Sequence, residues 1–229
     1  MLAVVLSTLL FTVQPDTSWE HQALRERMVE QQIAARSVTD PAVLNAMRSV
    51  PRHRFVPGVA PELAYSDRPL PIGHRQTISQ PYIVARMTEL ARPDSTDRAL
   101  EIGTGSGYQA AVLASIVDSV YTIEILSELA ATAANRLHRL GYDNVAVRNA
   151  DGFKGWPARA PFDVIIVTAA PETIPPPLID QLADGGRMII PVGPTGQTQS
   201  LTLVTNENFA VSNRQLAPVR FVPFLRQKN

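Results

Sequence analysis

Residues 99–107, Ala-Leu-Glu-Ile-Gly-Thr-Gly-Ser-Gly, place an acid and three glycines spaced two apart at the end of a short apolar run. Glycine is needed where a chain turns sharply off a strand and a ligand must approach bare backbone, because a Cβ would clash or forbid positive φ. The segment therefore reads as a loop for a nucleotide cofactor. The dinucleotide fingerprint has its third glycine three residues after the second; here that position is Tyr108, and Gly107 follows Gly105 by two. This spacing points away from a dinucleotide and toward S-adenosylmethionine, whose adenosine needs a similar crevice but which carries no pyrophosphate. Glu101, Gly103, Thr104, Gly105, Ser106 and Gly107 form the candidate cofactor loop.

Other polar residues fall where a parallel sheet would bring them to the same end. Glu124 closes the next strand-like run, about twenty residues after the first glycine, where an acid can accept both ribose hydroxyls. A surface acid at a strand end is the plainer alternative. Asp151 and Gly152 would offer a carboxylate to an adenine amino group and room for the base, although Asp-Gly is also a common turn. Thr168, Ala169 and Ala170 are small where a substrate must fit, and equally suit a crowded turn. Ser79, two residues before Pro81, reads by residue type alone as a helix-start serine. No histidine and acid follow it in a nucleophile motif, so a hydrolase triad is not supported, and a serine here would orient a substrate rather than attack it.

The elements that must position these residues show in the periodicity. A helical pattern runs from Gln22 through Leu24, Met28 and Ile33; Asp40-Pro41 then starts a helix with Val43, Leu44, Met47 and Val50 on one face. Residues 51–81 are rich in proline and turn formers, and a helix is predicted from Pro81. Strands are predicted at 98–102, 119–123, 145–148, 164–167 and 187–192. Helices are predicted from Gly107 to about Ile116, and from a Ser127 cap to a Gly141 stop. This alternation implies right-handed crossovers and a mostly parallel sheet, a Rossmann-like α/β fold. Residues 201–205 and 219–223 are predicted to pair as an antiparallel hairpin at one edge.

Composition narrows the function. At 229 residues one α/β domain is expected, with residues 22–97 forming a helical and cleft-forming part and 98–229 the cofactor-binding sheet. Lysine plus arginine equals aspartate plus glutamate at 21 each, which removes the electrostatic footprint of a nucleic-acid binder. There is no cysteine, and the four histidines lack metal-ligand spacing, so neither thiolate nor metal catalysis is expected. Residues 2–13 are apolar, too short to span a bilayer but of the length of a signal-peptide core. No lysine or arginine precedes Arg25, so residues 1–21 are read as an apolar extension, cytoplasmic location is expected, and export is the alternative if the extension is cleaved.

From about Arg25 to Phe224 the chain resembles the bacterial type of the protein-L-isoaspartate (D-aspartate) O-methyltransferase family. Four stretches carry the likeness: Leu70-Pro-Ile-Gly with Gln76-Thr-Ile-Ser-Gln-Pro81, Glu101-Ile-Gly-Thr-Gly-Ser-Gly-Tyr108, Phe162-Asp-Val-Ile-Ile-Val-Thr-Ala-Ala170, and Val219-Arg-Phe-Val-Pro223. The glycine loop alone suggests only a methyltransferase; the first and last stretches are specific to the family. The resemblance implies a seven-stranded class I methyltransferase fold. It also implies methyl transfer from S-adenosylmethionine to the α-carboxyl of L-isoaspartyl, and by the family's description D-aspartyl, residues of damaged proteins. The ester then closes to a succinimide that hydrolyses partly to normal aspartate. On matching positions Ser79 becomes the active-site residue, Gly103 to Gly107 the methionine-side loop, Glu124 the ribose acid, and Asp151 with Gly152 the adenine contact. Ile72, Gln76, Thr77, Thr168 and Arg220 become substrate-cleft candidates. A monomer acting on isoaspartyl proteins and peptides is expected, with no nucleic acid and no stable membrane span. The rivals are a methyltransferase of another substrate and a non-catalytic cofactor-binding protein.

Overall fold

The computed structural model describes residues 18–227, so the apolar run 2–13 and its expected export or cleavage lie outside the described residues. Helix α1 (Ser18–Met28) continues into a π-helical turn, Val29–Ile33, and a 3₁₀ turn, Ala34–Arg36. Helix α2 (Pro41–Ser49) starts as the sequence predicts: the Asp40 carboxylate accepts the N–H groups of Ala42 and Val43, and Pro41 occupies the first turn. After α3 (Pro61–Ala64) come β1 (Leu70–Gly73), β2 (Gln76–Ile78) and α4 (Pro81–Ala91). The alternating part follows: β3 (Arg98–Ile102), α5 (Tyr108–Ala114), β4 (Ser119–Glu124), α6 (Ser127–Arg139), β5 (Val145–Asn149) and β6 (Phe162–Val167). It closes with α7 (Pro176–Ile179), β7 (Leu182–Val192), β8 (Gln199–Glu207) and β9 (Ala210–Val219). No helix among the described residues is long and apolar enough to cross a membrane.

The large sheet has seven strands in the order β5-β4-β3-β6-β7-β8-β9. Five are parallel, and β8 and β9 run antiparallel at one edge. Both faces are covered. Ala99, Val164 and Ile166 pack with the helices of the N-terminal part and α5, while Leu100, Ile102, Ile165 and Val167 pack with Leu178 and Phe162 on the other side. Burial on two faces is why these strands read as unbroken apolar runs rather than alternating ones. From β3 the chain winds outward through β4 and β5, then returns to place β6 on the opposite side of β3. That reversal opens a crevice at the carboxyl ends of β3 and β6, the usual seat of a ligand in such a sheet.

Three sequence expectations are corrected here. The edge hairpin exists, but its return strand is Ala210–Val219 and not 219–223. β9 is exposed along nearly all its length, so it shows no apolar alternation; its tight turn is Asn208-Phe209, both at positive φ. Residues 220–223 instead leave the sheet and cross to the segment that follows β6, where Ala170 N–H donates to Val222 O and Phe224 N–H to Ala170 O. The proline-rich stretch 51–81 contains a β1–β2 ribbon, turned by His74 and Arg75 at positive φ, which sequence reading passed over as loop. Ser127 does not cap α6 but is its first residue; Leu126 holds the cap position, and its N–H is taken by the Glu124 carboxylate.

Candidate active site

The glycine loop is shaped from within. Gly103 and Thr104 donate their N–H groups to Ile123 O, Gly105 donates to Glu124 Oε2 at 2.9 Å, and Gly107 donates to Thr104 O. A phosphate cradle needs such donors turned outward, toward the anion. Here they are spent inside the protein, which agrees with a cofactor that carries no phosphate. Gly103 has φ +98, and a Cβ there would lie 2.4 Å from Thr168 Oγ1. Thr168 in turn donates to Gly103 O at 2.7 Å, tying the end of β6 to the loop after β3. The side chains of Thr104 and Ser106 are buried, Thr104 Oγ1 pairs with Thr122 Oγ1 at 2.6 Å, and both residues border the space behind the glycine loop.

Around this loop lies a narrow crevice. Gly103, Gly105, Glu124 and Gly152, expected at the cofactor, line it together with Gln76, Thr77 and Thr168, which were expected in the substrate cleft. Ile123, Ile125 and the tail residues Phe224 and Leu225 complete it. The tail residues had no sequence signal, because apolar side chains near a terminus have no period to place them. Asp151 stands one residue outside the lining. Its Oδ1 accepts Phe153 N–H, and its Oδ2 accepts Arg226 Nε at 3.0 Å and Gln227 N–H. Burial works to raise its pKa, but these donors, Arg226 first, hold it below the ordinary carboxylate value.

Glu101 is fully buried beside the crevice; Oε2 accepts Thr122 Oγ1 at 2.5 Å, while Oε1 is buried without a partner among the described residues. Burial, opposed by the Thr122 hydrogen bond and reinforced by the Glu124 charge, pushes its pKa up to about 8. The folded protein thus holds a proton that the unfolded chain releases near the ordinary glutamate value. Stability from this group is full below that value and declines as pH rises toward about 8. Melting temperature without cofactor should fall across that window, and Glu101→Gln should flatten the fall; equal slopes in both proteins would sink this account.

The second space is a cleft of about 650 Å³ that meets the crevice at Thr77 and Thr168. Ser79, Gln80, Tyr82, Leu216, Arg220 and Phe221 are among its walls. The helix-start alternative for Ser79 does not hold, since Gln80 takes the cap position of α4 and no side chain caps from there. Asp67 serves that helix from outside, accepting Tyr82 N–H at 2.9 Å. Ser79 is left facing the cleft and also borders the space behind the glycine loop, together with Glu101 and Gly105. Ile72 packs near Gly105 rather than in the cleft: a Cβ at Gly105 would be 3.1 Å from Ile72 Cδ1. Among the described residues three arginines, Arg36, Arg86 and Arg220, line the cleft, and no aspartate or glutamate does. Arg36 is paired with Asp67 and Arg86 with Glu89; Arg220 makes no ion pair among the described residues. Arg36 and Arg86 were not anticipated, because each looks in sequence like an ordinary helix-surface cation.

The family model of protein-L-isoaspartate (D-aspartate) O-methyltransferase matches residues 23–229. A protein-L-isoaspartate O-methyltransferase of Opitutus terrae is 59% identical over 204 residues, covering 89% of this chain and 88% of the relative. One from Gloeobacter violaceus is 57% identical, covering 88% and 98%. Among solved structures, a protein-L-isoaspartate O-methyltransferase superposes with a TM-score of 0.80 at 28% identity, covering 87% of this chain; the chain spans 65% of that protein's length. A Plasmodium falciparum chain described as a protein-L-isoaspartate O-methyltransferase, solved in complex with S-adenosyl-L-homocysteine, gives a TM-score of 0.75 at 26% identity, covering 90% and 99%.

Proposed function

The chain belongs to the protein-L-isoaspartate (D-aspartate) O-methyltransferase family, and from that membership we propose that its cleft seats the free α-carboxylate of an isoaspartyl residue while Ser79 orients it for methylation by S-adenosylmethionine. The observation that carries this reading is the charge of the cleft. In a chain of zero net charge, no acid among the described residues lines its walls, Arg36 and Arg86 are held by Asp67 and Glu89 outside the lining, Arg220 makes no ion pair among the described residues, and the cleft opens onto the cofactor crevice beside Ser79.

The crevice fits the cofactor. Glu101 Oε1, without a partner among the described residues, becomes an acceptor for an ammonium group once that cation has drawn the carboxyl to its anion, Glu124 stands where ribose hydroxyls would lie, and Gly152 leaves room for a flat base. Asp151 keeps lone pairs for an adenine amino group beyond those taken by Phe153 and the tail. When bound, S-adenosylmethionine supplies an electrophilic methyl carbon and a neutral thioether leaving group. The protein's task is then alignment. An α-carboxyl titrates near about pH 3.5, so the substrate arrives as the anion and no general base is needed. The Ser79 hydroxyl donates to one carboxylate oxygen, leaving the other free to attack, while Arg220 draws the anion into the cleft. Fixing oxygen, carbon and sulfur in line can supply roughly 7–11 kcal/mol in favourable cases. The product ester invites attack on its carbonyl by the neighbouring backbone nitrogen, which expels methanol and gives a succinimide that water reopens in part to normal aspartate. The activity thereby starts repair of aged protein. All the named side chains come from one chain, so the reading needs no second copy.

Twin peptides differing only in aspartyl or isoaspartyl linkage test it with labelled S-adenosylmethionine. Base-labile label should appear on the isoaspartyl twin alone; label on both, or on neither, sinks the reading. Ser79→Ala should lower kcat about ten- to a hundredfold, the worth of one charge-assisted, orienting hydrogen bond. Its cofactor Kd should hold within about threefold, because Ser79 is outside the adenosine-side lining.

A further inference from the structure

Arg52 is the largest side chain that the fold buries completely. Its Nε donates to Ala64 O at 2.8 Å, its Nη2 donates to Ser79 O at 2.7 Å, and its Nη1 is buried without a partner among the described residues. The guanidinium lies 4.8 Å from the centroid of the Tyr108 ring, and it makes no ion pair among the described residues. A buried cation without a carboxylate is costly, and a leucine or methionine would fill the same volume more cheaply. Filling the core does not account for it.

The backbone it holds suggests what does. Helix α4 begins at Pro81, and its first turn is closed on Gln80 O by the N–H groups of Ile83 and Val84. Ser79 O therefore lies outside the helical ladder, at the bend between β2 and α4, and the setting of that peptide decides where the Ser79 hydroxyl points. A charged donor at 2.7 Å fixes it. The same guanidinium packs on Tyr108, the first residue of α5 directly after the glycine loop. One buried group thus ties the cleft serine to the cofactor loop. We propose that Arg52 is a positioning residue for methyl transfer, holding the Ser79 peptide so that the serine hydroxyl and the cofactor loop keep one fixed separation. The proposal rests on the orienting role of Ser79.

A double-mutant cycle in kcat tests it on the full chain, with Arg52→Lys, Ser79→Ala and their combination, each checked for folding by melting temperature and cofactor Kd. Lysine keeps the cation but replaces the planar fork, which reaches the two carbonyls from two nitrogens, with a single mobile nitrogen. Arg52→Lys should lower kcat at least about tenfold when Ser79 is present and less than about twofold in the Ser79→Ala background. A structural plug would cost the same factor in both, and that result overturns the proposal alone. Unchanged turnover in Ser79→Ala by itself overturns the serine's role and this proposal with it. Should Arg52→Lys fail to fold, the unaltered protein decides. Its Arg52 Nε–H resonance, identified by proximity to the Tyr108 ring, should shift when isoaspartyl peptide is added with S-adenosylhomocysteine and stay fixed with the aspartyl twin; no shift, or equal shifts, overturns the proposal.

Discussion

Gly103→Ala is expected to abolish useful cofactor binding and to lower the melting temperature. Two costs act at one atom. At φ +98 an alanine is strained by about 1–3 kcal/mol, and its Cβ would sit 2.4 Å from Thr168 Oγ1. Thr168 cannot yield freely, because the single hydrogen of that hydroxyl is directed to Gly103 O at 2.7 Å, with Ile102 O at 3.0 Å beside it. Moving it takes the hydroxyl's hydrogen bond from Gly103 O, at a further cost of about 1–3 kcal/mol, while Ile102 O keeps the Thr168 N–H. A combined loss near 3 kcal/mol corresponds to roughly 6–12 °C in a chain of this size. Thr168 borders both the cleft and the crevice, so displacing it also disturbs the separation of donor and acceptor. Calorimetric titration with S-adenosylhomocysteine should show Kd raised by about a hundredfold or more, since misplacement near 1 Å is already worth that in a fitted site. Gly196→Ala is the control: φ is +75 there, but nothing lies within 4 Å of the added Cβ, so only the backbone strain should appear. Normal cofactor affinity in Gly103→Ala would show that the loop tolerates a side chain and that its glycine is not a ligand requirement.

How far the sequence speaks for this architecture depends on which force sets each element. β3 and β6 are buried on both faces, so burial writes itself into composition as Leu100, Ile102, Ile165 and Val167, and both strands are legible. β9 is held by pairing with β8 while its side chains face solvent, and backbone hydrogen bonds leave no mark on residue type. The β1–β2 ribbon is set by two positive-φ residues that are not glycine, His74 and Arg75, which no turn rule would choose. The site divides along the same line. Gly103 and Glu124 follow from chemistry at strand ends. Ser79 became legible only through a whole matched segment, because a serine before a proline is more often a helix start. Arg52 gave no sign at all: a cation in Pro51-Arg-His-Arg54 looks like surface, and only the three-dimensional fold shows it dry.

Glu124→Gln is expected to cost nearly as much cofactor affinity as the glycine change, and the reason is acceptor arithmetic. The Glu124 side chain is almost wholly buried. Oε2 accepts Gly105 N–H at 2.9 Å, and Oε1 accepts Leu126 N–H at 3.0 Å. One oxygen thus shapes the cofactor loop and the other starts α6, and each keeps a lone pair that, on the proposed reading, takes a ribose hydroxyl in the crevice Glu124 lines. Glutamine has a single acceptor oxygen. Whichever way its amide turns, an NH₂ group meets either the Gly105 or the Leu126 N–H, leaving a buried donor unpaired at about 1–3 kcal/mol. One ribose contact loses its acceptor and the other loses its charge, together roughly another 2–3 kcal/mol. Because part of the first cost is paid in folding, cofactor Kd should rise about a hundredfold rather than by the full sum. Glu124 does not line the peptide cleft, so at saturating cofactor the KM for an isoaspartyl peptide should change less than about threefold. If the melting temperature falls while Kd stays within threefold, Glu124 is a clasp for the loop and holds no ribose. If KM moves in step with Kd, the crevice and the cleft are one coupled site rather than two spaces meeting at Thr77 and Thr168.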